Sequence, residues 1–115
     1  MTFNDQLLHT IDGWNKDPIE DEWLFEKFRE QLVNRMSTEE AFEAIGETID
    51  VLLRQSDEST AIEVLQTLIA LARQSDTTEM PSKLLVQKSA IASQFSTFGE
   101  YAKNKLQELF HHYRL

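Results

Sequence analysis

An all-α fold is predicted by three features of this sequence. Apolar residues recur at three- and four-residue spacing for most of its length. Serine, threonine and aspartate stand where such runs begin. Three glycines and two prolines in 115 residues are too few for an all-β chain, which turns every 8–12 residues or so, by rough rule. The expected architecture is a compact bundle of five to six short antiparallel helices, with residues 1–115 as a single domain. A chain of this length buries roughly two-thirds of its unfolded surface and needs neither disulfide nor metal to hold together, in keeping with its lack of cysteine.

The first helix is expected from about Asn4 to Gly13, capped by Thr2, with Phe3, Leu7, Leu8, Ile11 and Trp14 on one stripe and Gly13 as the stop. Asp17 and Pro18 then form a helix start, with Glu20 three residues after the cap. This second helix, ending near Met36, carries Ile19, Trp23, Leu24, Phe25, Phe28, Leu32 and Val33. Ser37 and Glu40 read as a capping box, opening a third helix to about Arg54. Its apolar face includes Ala41, Ile45, Ile49 and Leu52. Gly46 lies inside it, at a cost of about 1 kcal/mol relative to alanine, and would permit close approach of a neighbouring helix.

A fourth helix follows the polar turn Gln55–Ser59 and is the most apolar segment, carrying Ala61, Ile62, Val64, Leu65, Leu68, Ile69, Leu71 and Ala72. It is expected at the centre. The ends of helices three and four nearly repeat, Leu52-Leu53-Arg54-Gln55-Ser56-Asp57 against Leu71-Ala72-Arg73-Gln74-Ser75-Asp76. Each arginine complements the negative end of its helix, and each Ser-Asp pair suits the cap of whatever follows. The run from Val51 to Asp57, followed by Val64 to Leu68, resembles a HEAT-type helical repeat. Such repeats take about 40 residues each and need three or more copies, so a compact bundle fits this length better.

Pro81 starts a fifth helix through about Phe95, with Leu84, Leu85, Ala90, Ile91 and Phe95 as its apolar set. Ser96 or Thr97 caps a final helix, Thr97 and Glu100 forming a second capping-box pair, and Phe98, Ala102, Leu106, Leu109 and Tyr113 make its stripe.

The net charge of −9 argues against non-specific binding to nucleic acid or to an anionic membrane. Residues 1–80 hold 18 acidic and 6 basic side chains, whereas residues 81–115 hold 2 acidic and 5 basic. Absence of cysteine excludes thiolate metal sites and fits a reducing, cytoplasmic setting. Met1 to Asp12 shows no basic segment leading into a long apolar run, so neither a signal peptide nor a membrane span is expected.

No motif specifies an enzyme. Glu108 and His111 have Glu-x-x-His spacing, but di-iron bundles need a second such pair, and none occurs. His111 and His112 diverge by about 100° on a helix and cannot chelate one ion together; His9 reads as an ordinary, partly exposed histidine. Ser37, Ser56, Ser75 and Ser96 sit at helix ends, and no glycine-rich phosphate loop exists. No cofactor, metal or catalytic residue is therefore expected.

Acidic residues are densest at Asp17, Glu20, Asp21, Glu22 and Glu26 on helix two and at Glu39, Glu40, Glu43, Glu47 and Asp50 on helix three. Acids favour a first helical turn, and Asp50 can pair with Arg54. Like charges three or four residues apart are mildly destabilising, however, so helix stability does not explain a row that continues for three turns. It serves either solubility or docking of a basic protein. Trp14 and Trp23 pack together in the core on one reading; on the other, Trp23 and the acids around it form a second contact surface.

In size, acidity and helical make-up the chain resembles the small helical immunity proteins that bacteria make against nuclease-type toxins. That resemblance implies a non-enzymatic inhibitor that neutralises a basic toxin by occlusion. The alternative is a HEAT-like or bundle-type adaptor that self-associates or binds an apolar partner helix. A monomer or weak homodimer is expected.

Overall fold

The computed structural model describes residues 2–16 and 23–114. Within them lie α1 (Phe3–Lys16), α2 (Leu24–Gln31), a 3-10 turn (Val33–Arg35), α3 (Thr38–Leu53), α4 (Glu58–Gln74), α5 (Ser82–Phe95) and α6 (Glu100–His112). No strand occurs among the described residues.

The fold is built around α4. Its apolar residues are not confined to one stripe, and Val64, Leu65, Leu68, Leu71 and Ala72 are all at most 1% exposed. A helix apolar around most of its circumference needs neighbours on several sides. Here α3 and α6 are the main ones, joined by α1, α2 and the 3-10 turn. Polar groups so enclosed must find partners locally. Thr67 donates to the carbonyl of Glu63 at 3.0 Å, and the Thr60 hydroxyl hydrogen-bonds to the Asp57 carboxylate at 3.0 Å. Asp57 also caps α4, accepting from the Thr60 amide at 3.0 Å.

α3 and α4 form a helical hairpin across a short polar turn. The carbonyls at the end of α3 run out of regular helical partners. Leu52 O accepts from the Gln55 amide at 3.0 Å, and α5 adds a donor, Gln94 Nε2, to Leu52 O at 2.7 Å and to Gln55 O at 2.8 Å. At the other end of α5, Lys83 pairs with Asp50 at 3.1 Å. α5 therefore runs beside α3 in the same direction. α4 and α6 are likewise parallel: Glu58 accepts from the Gly99 amide at 2.7 Å where both begin, and Arg73 pairs with Glu108 at 2.7 Å toward their far ends.

Several expectations need correction. α1 passes through Gly13 to Lys16, because a glycine in the permissive helical region does not by itself end a helix. Leu8 is 39% exposed rather than on the buried stripe. The expected cap at Asp17 and Pro18 lies outside the described residues. The expected long second helix gives way to α2 and a separate 3-10 turn. The break bends the chain so that Val33 becomes completely buried beside α4. The Thr97–Glu100 capping box does not form: Gly99 is the cap of α6, and Thr97 donates to Gln94 O instead. The turn before Gly99 places Phe98 edge-on to Phe95, 5.1 Å between centroids. Leu85 and Ala90 face outward, with Leu85 62% exposed, because Leu84, Ile91 and Phe95 alone fill the inner side of α5.

The repeated helix ends diverge as well. Asp57 caps α4, but Asp76 adopts φ 54° just after the C-terminal cap of its helix, a left-handed position that aspartate tolerates better than most residues. It begins a loop, and no helix follows until Ser82.

Two substitutions probe this packing. A Cβ added at Gly46 would meet Lys83 Cβ at 3.9 Å, an ordinary contact, so the close approach does not require glycine. Gly46→Ala is expected to raise unfolding free energy by about 1 kcal/mol in chemical denaturation. The Tyr113 hydroxyl is buried with no hydrogen-bond partner among the described residues, and burial pushes its pKa up to about 12. An unfolded tyrosine ionises near pH 10, by rough reference value. Above that pH the unfolded chain releases a proton the folded one retains, so stability falls as pH rises toward the folded value. Tyr113→Phe is expected to leave the denaturation midpoint at neutral pH unchanged or higher, and to flatten the alkaline decline.

Candidate functional site

The acidic residues of α3 fall into two groups according to what they touch. Glu40 belongs to the helix start: its side chain accepts from the Ser37 amide at 3.1 Å while Ser37 Oγ accepts from the Glu40 amide at 3.1 Å. The bond from the Ser37 backbone, followed by that from its side chain, holds the Glu40 carboxyl below its ordinary value. Because the folded pKa is depressed, this contribution is present above the ordinary carboxylate range and is lost as pH falls through the lowered value. Asp50 belongs to the α3–α5 contact. It pairs with Lys83 at 3.1 Å and not with Arg54, since α5 crosses α3 at Gly46 and brings its own lysine closer.

Glu39, Glu43 and Glu47 form the second group. All are exposed, and none has a side-chain hydrogen bond or ion pair among the described residues. Some acids elsewhere are engaged: Glu63 with Arg29 at 3.1 Å, Glu108 with Arg73 at 2.7 Å and with Lys105 at 3.3 Å, and Asp12 with Lys16 at 3.0 Å. Glu26, Glu30 and Glu100 are exposed and unpaired among the described residues, but do not form a row.

The loop between α4 and α5 extends the row. Glu79 is exposed and, with Thr38, Glu39, Phe42, Glu43, Ser75 and Thr77, bounds a surface depression of about 310 Å³. Carboxylates from a helix and from a loop thus rim one concavity, with half-buried Phe42 inside it. Nothing in the local sequence singles out Glu79. Its placement depends on the loop folding back toward α3, close to His112, whose Nε2 donates to Thr77 O at 3.1 Å.

Asp17, Glu20, Asp21 and Glu22 lie outside the described residues. Trp23, just before α2, is 56% exposed, and the expected Trp14–Trp23 packing is replaced by Trp14 edge-on to Phe25 at 5.3 Å. Phe25 and Phe28 occupy the inner side of α2, leaving Trp23 at its outer entrance. A separate depression of about 320 Å³ between α1 and α2 is lined by His9, Leu24, Lys27, Phe28 and neighbouring residues. Glu108, a candidate metal ligand by spacing, is taken up by Lys105 and Arg73, and the hydrogen bond from Lys105 is the largest cause of its lowered pKa. Among the described residues no group of three or more His, Cys, Asp or Glu is arranged to hold a metal ion, and no helix is long and apolar enough to cross a membrane.

No known protein family matches the chain, nor does any curated protein or solved structure.

If the unpaired carboxylates do not serve the fold, their removal carries no stability cost. Glu43→Gln and Glu47→Gln, singly or together, are expected to shift unfolding free energy by less than about 0.5 kcal/mol, any change being stabilising through relief of like-charge repulsion. Urea denaturation at low salt is the measurement.

Proposed function

We propose that this chain is a non-enzymatic protein-binding domain that holds a basic protein against the acidic ridge of α3, most specifically an immunity-type inhibitor of a nuclease-type toxin. The observation that carries the reading is the contrast on α3. Glu40 and Asp50 are spent on the fold, whereas Glu39, Glu43 and Glu47 are exposed and unpaired among the described residues, and the first two rim one depression with Glu79.

Carboxylates spaced along one face can stand in for the phosphates of a nucleic acid. They would form charge-assisted hydrogen bonds with the lysines and arginines a nuclease uses to hold its substrate. Neutralisation would then be steric and electrostatic: the inhibitor covers the substrate-binding surface, and no bond is made or broken in the toxin. Complementary charge also accelerates encounter, an advantage for an inhibitor that must reach its target before the target reaches nucleic acid. Phe42 offers an apolar contact among the charges. Within the cell the reading places the domain in the cytoplasm.

The test is kinetic. With a partner captured from the source cell, association is expected to slow as salt is raised. Replacing Glu39, Glu43 and Glu47 together by lysine is expected to reduce the association rate by about tenfold or more while circular dichroism stays unchanged. Wild-type association rates in the folded triple variant would refute the ridge as the docking surface.

A further inference from the structure

The outer side of α5 carries no charge. Ser82, Leu85, Val86, Ser89, Ala92 and Ser93 are all exposed there, Leu85 at 62% and Val86 at 75%, in a chain in which 27% of residues are charged. The charged residues of this helix lean aside. Lys83 reaches Asp50 on α3, and Lys88 lies over the Phe110 ring of α6 at 5.8 Å. Loss of charge from a solvent-facing surface is the compositional mark of an interface centre.

The order of residues along this side indicates what could cover it. Ser82, Ser89 and Ser96 recur every seven residues, the spacing of a helix-pairing seam. The bulky pair Leu85-Val86 lies between the first two serines and the small pair Ala92-Ser93 between the last two. Reversing the helix about Ser89 superposes Leu85 on Ser93, Val86 on Ala92 and Ser82 on Ser96. Two copies of this helix laid antiparallel would therefore set Leu85 and Val86 of each against Ser93 and Ala92 of the other, with serine meeting serine at the centre and at the ends.

Charge at the two ends selects the same direction. Glu43, Glu47 and Glu79 stand near the start of α5, beside the Lys83–Asp50 contact and the entering loop. Near its end stand Arg54, next to the Gln55 carbonyl that Gln94 contacts, and Lys103, together with Asp57, Glu58 and Glu100 around the Gly99 turn. A parallel pair would place the two more acidic ends together, whereas an antiparallel pair sets the acidic end of one copy against the end of the other, where Arg54 and Lys103 offset most of the acid.

We propose that the outer side of α5 is a homodimer surface, on which a second copy of this chain packs its own α5 antiparallel about a two-fold axis passing beside Ser89. The contact is small. A 14-residue helix is only about 21 Å long and falls short of the roughly 800 Å² per partner of a standard interface, so the dimer is weak and concentration-dependent. The pairing does not depend on the ridge of α3 binding a basic protein.

The absence of cysteine makes the test direct. Under mild oxidation Ser89→Cys is expected to form a disulfide-linked dimer at least about tenfold faster than Glu30→Cys, an exposed control on α2. In an equal mixture of Val86→Cys and Ala92→Cys chains, the mixed dimer should exceed both self-dimers. Sedimentation equilibrium of the wild-type chain should show a monomer–dimer equilibrium, and Ser89→Glu, folded by circular dichroism, should weaken it by about tenfold or more by apposing two carboxylates at the axis. Cross-linking at the control rate, a Val86–Val86 preference, or a wild-type monomer at millimolar concentration would each overturn the proposal.

Discussion

Enclosure of α4 is the constraint on which the other packing depends. Its buried residues point to most sides, so neighbouring elements must surround it, leaving one narrow strip for polar groups. Glu63, Gln66 and Arg73 occupy that strip, and each reaches a neighbour. Arg29 of α2 donates to Glu63 at 3.1 Å and to Gln66 at 3.3 Å, Gln66 donates to the Tyr101 hydroxyl at 3.3 Å, and Arg73 meets Glu108. These bonds set α2 and α6 on either side of one helix. Their energetic weight is modest where exposed, but they fix alignment, which apolar burial alone does not specify.

The same economy separates the acids of α3. A capping box, an inter-helix ion pair and a row of unpaired carboxylates occur on one helix, and only the first two have a role in folding. An uncompensated row adds repulsion to a chain that already carries −9. Solubility and recognition are the two explanations open to it, and the proposed docking reading takes the second, with Glu79 joining Glu39 and Glu43 from a separate loop.

Much of this was legible in the sequence because it is written locally. The helices, the Ser37–Glu40 box, the central position of the most apolar segment and the hairpin turn at Asp57 all follow from residues a few positions apart. What escaped depends on residues far apart in the chain. Asp50 chooses Lys83, 33 positions away, over Arg54, because register between helices is not encoded within either one. Leu85 has the same periodic credentials as Leu84, yet the inner side of α5 is already filled. The break after α2 reflects the demand to bury Val33 beside α4, a tertiary requirement that overrides a continuous apolar pattern. Glu79 joins the ridge through a loop whose path no local rule specifies.

The parallel alignment of α4 with α6 has an electrical consequence. Each helix start behaves as roughly half a positive charge, and here two such starts lie side by side, tied by the bond from the Gly99 amide to Glu58. Asp57, Glu58 and Glu100 are gathered at that junction, and at the opposite ends stand Arg73, His111 and His112. Part of the chain's surplus of acid is thus a fixed counter-ion set for two helices that an antiparallel arrangement would have allowed to neutralise one another.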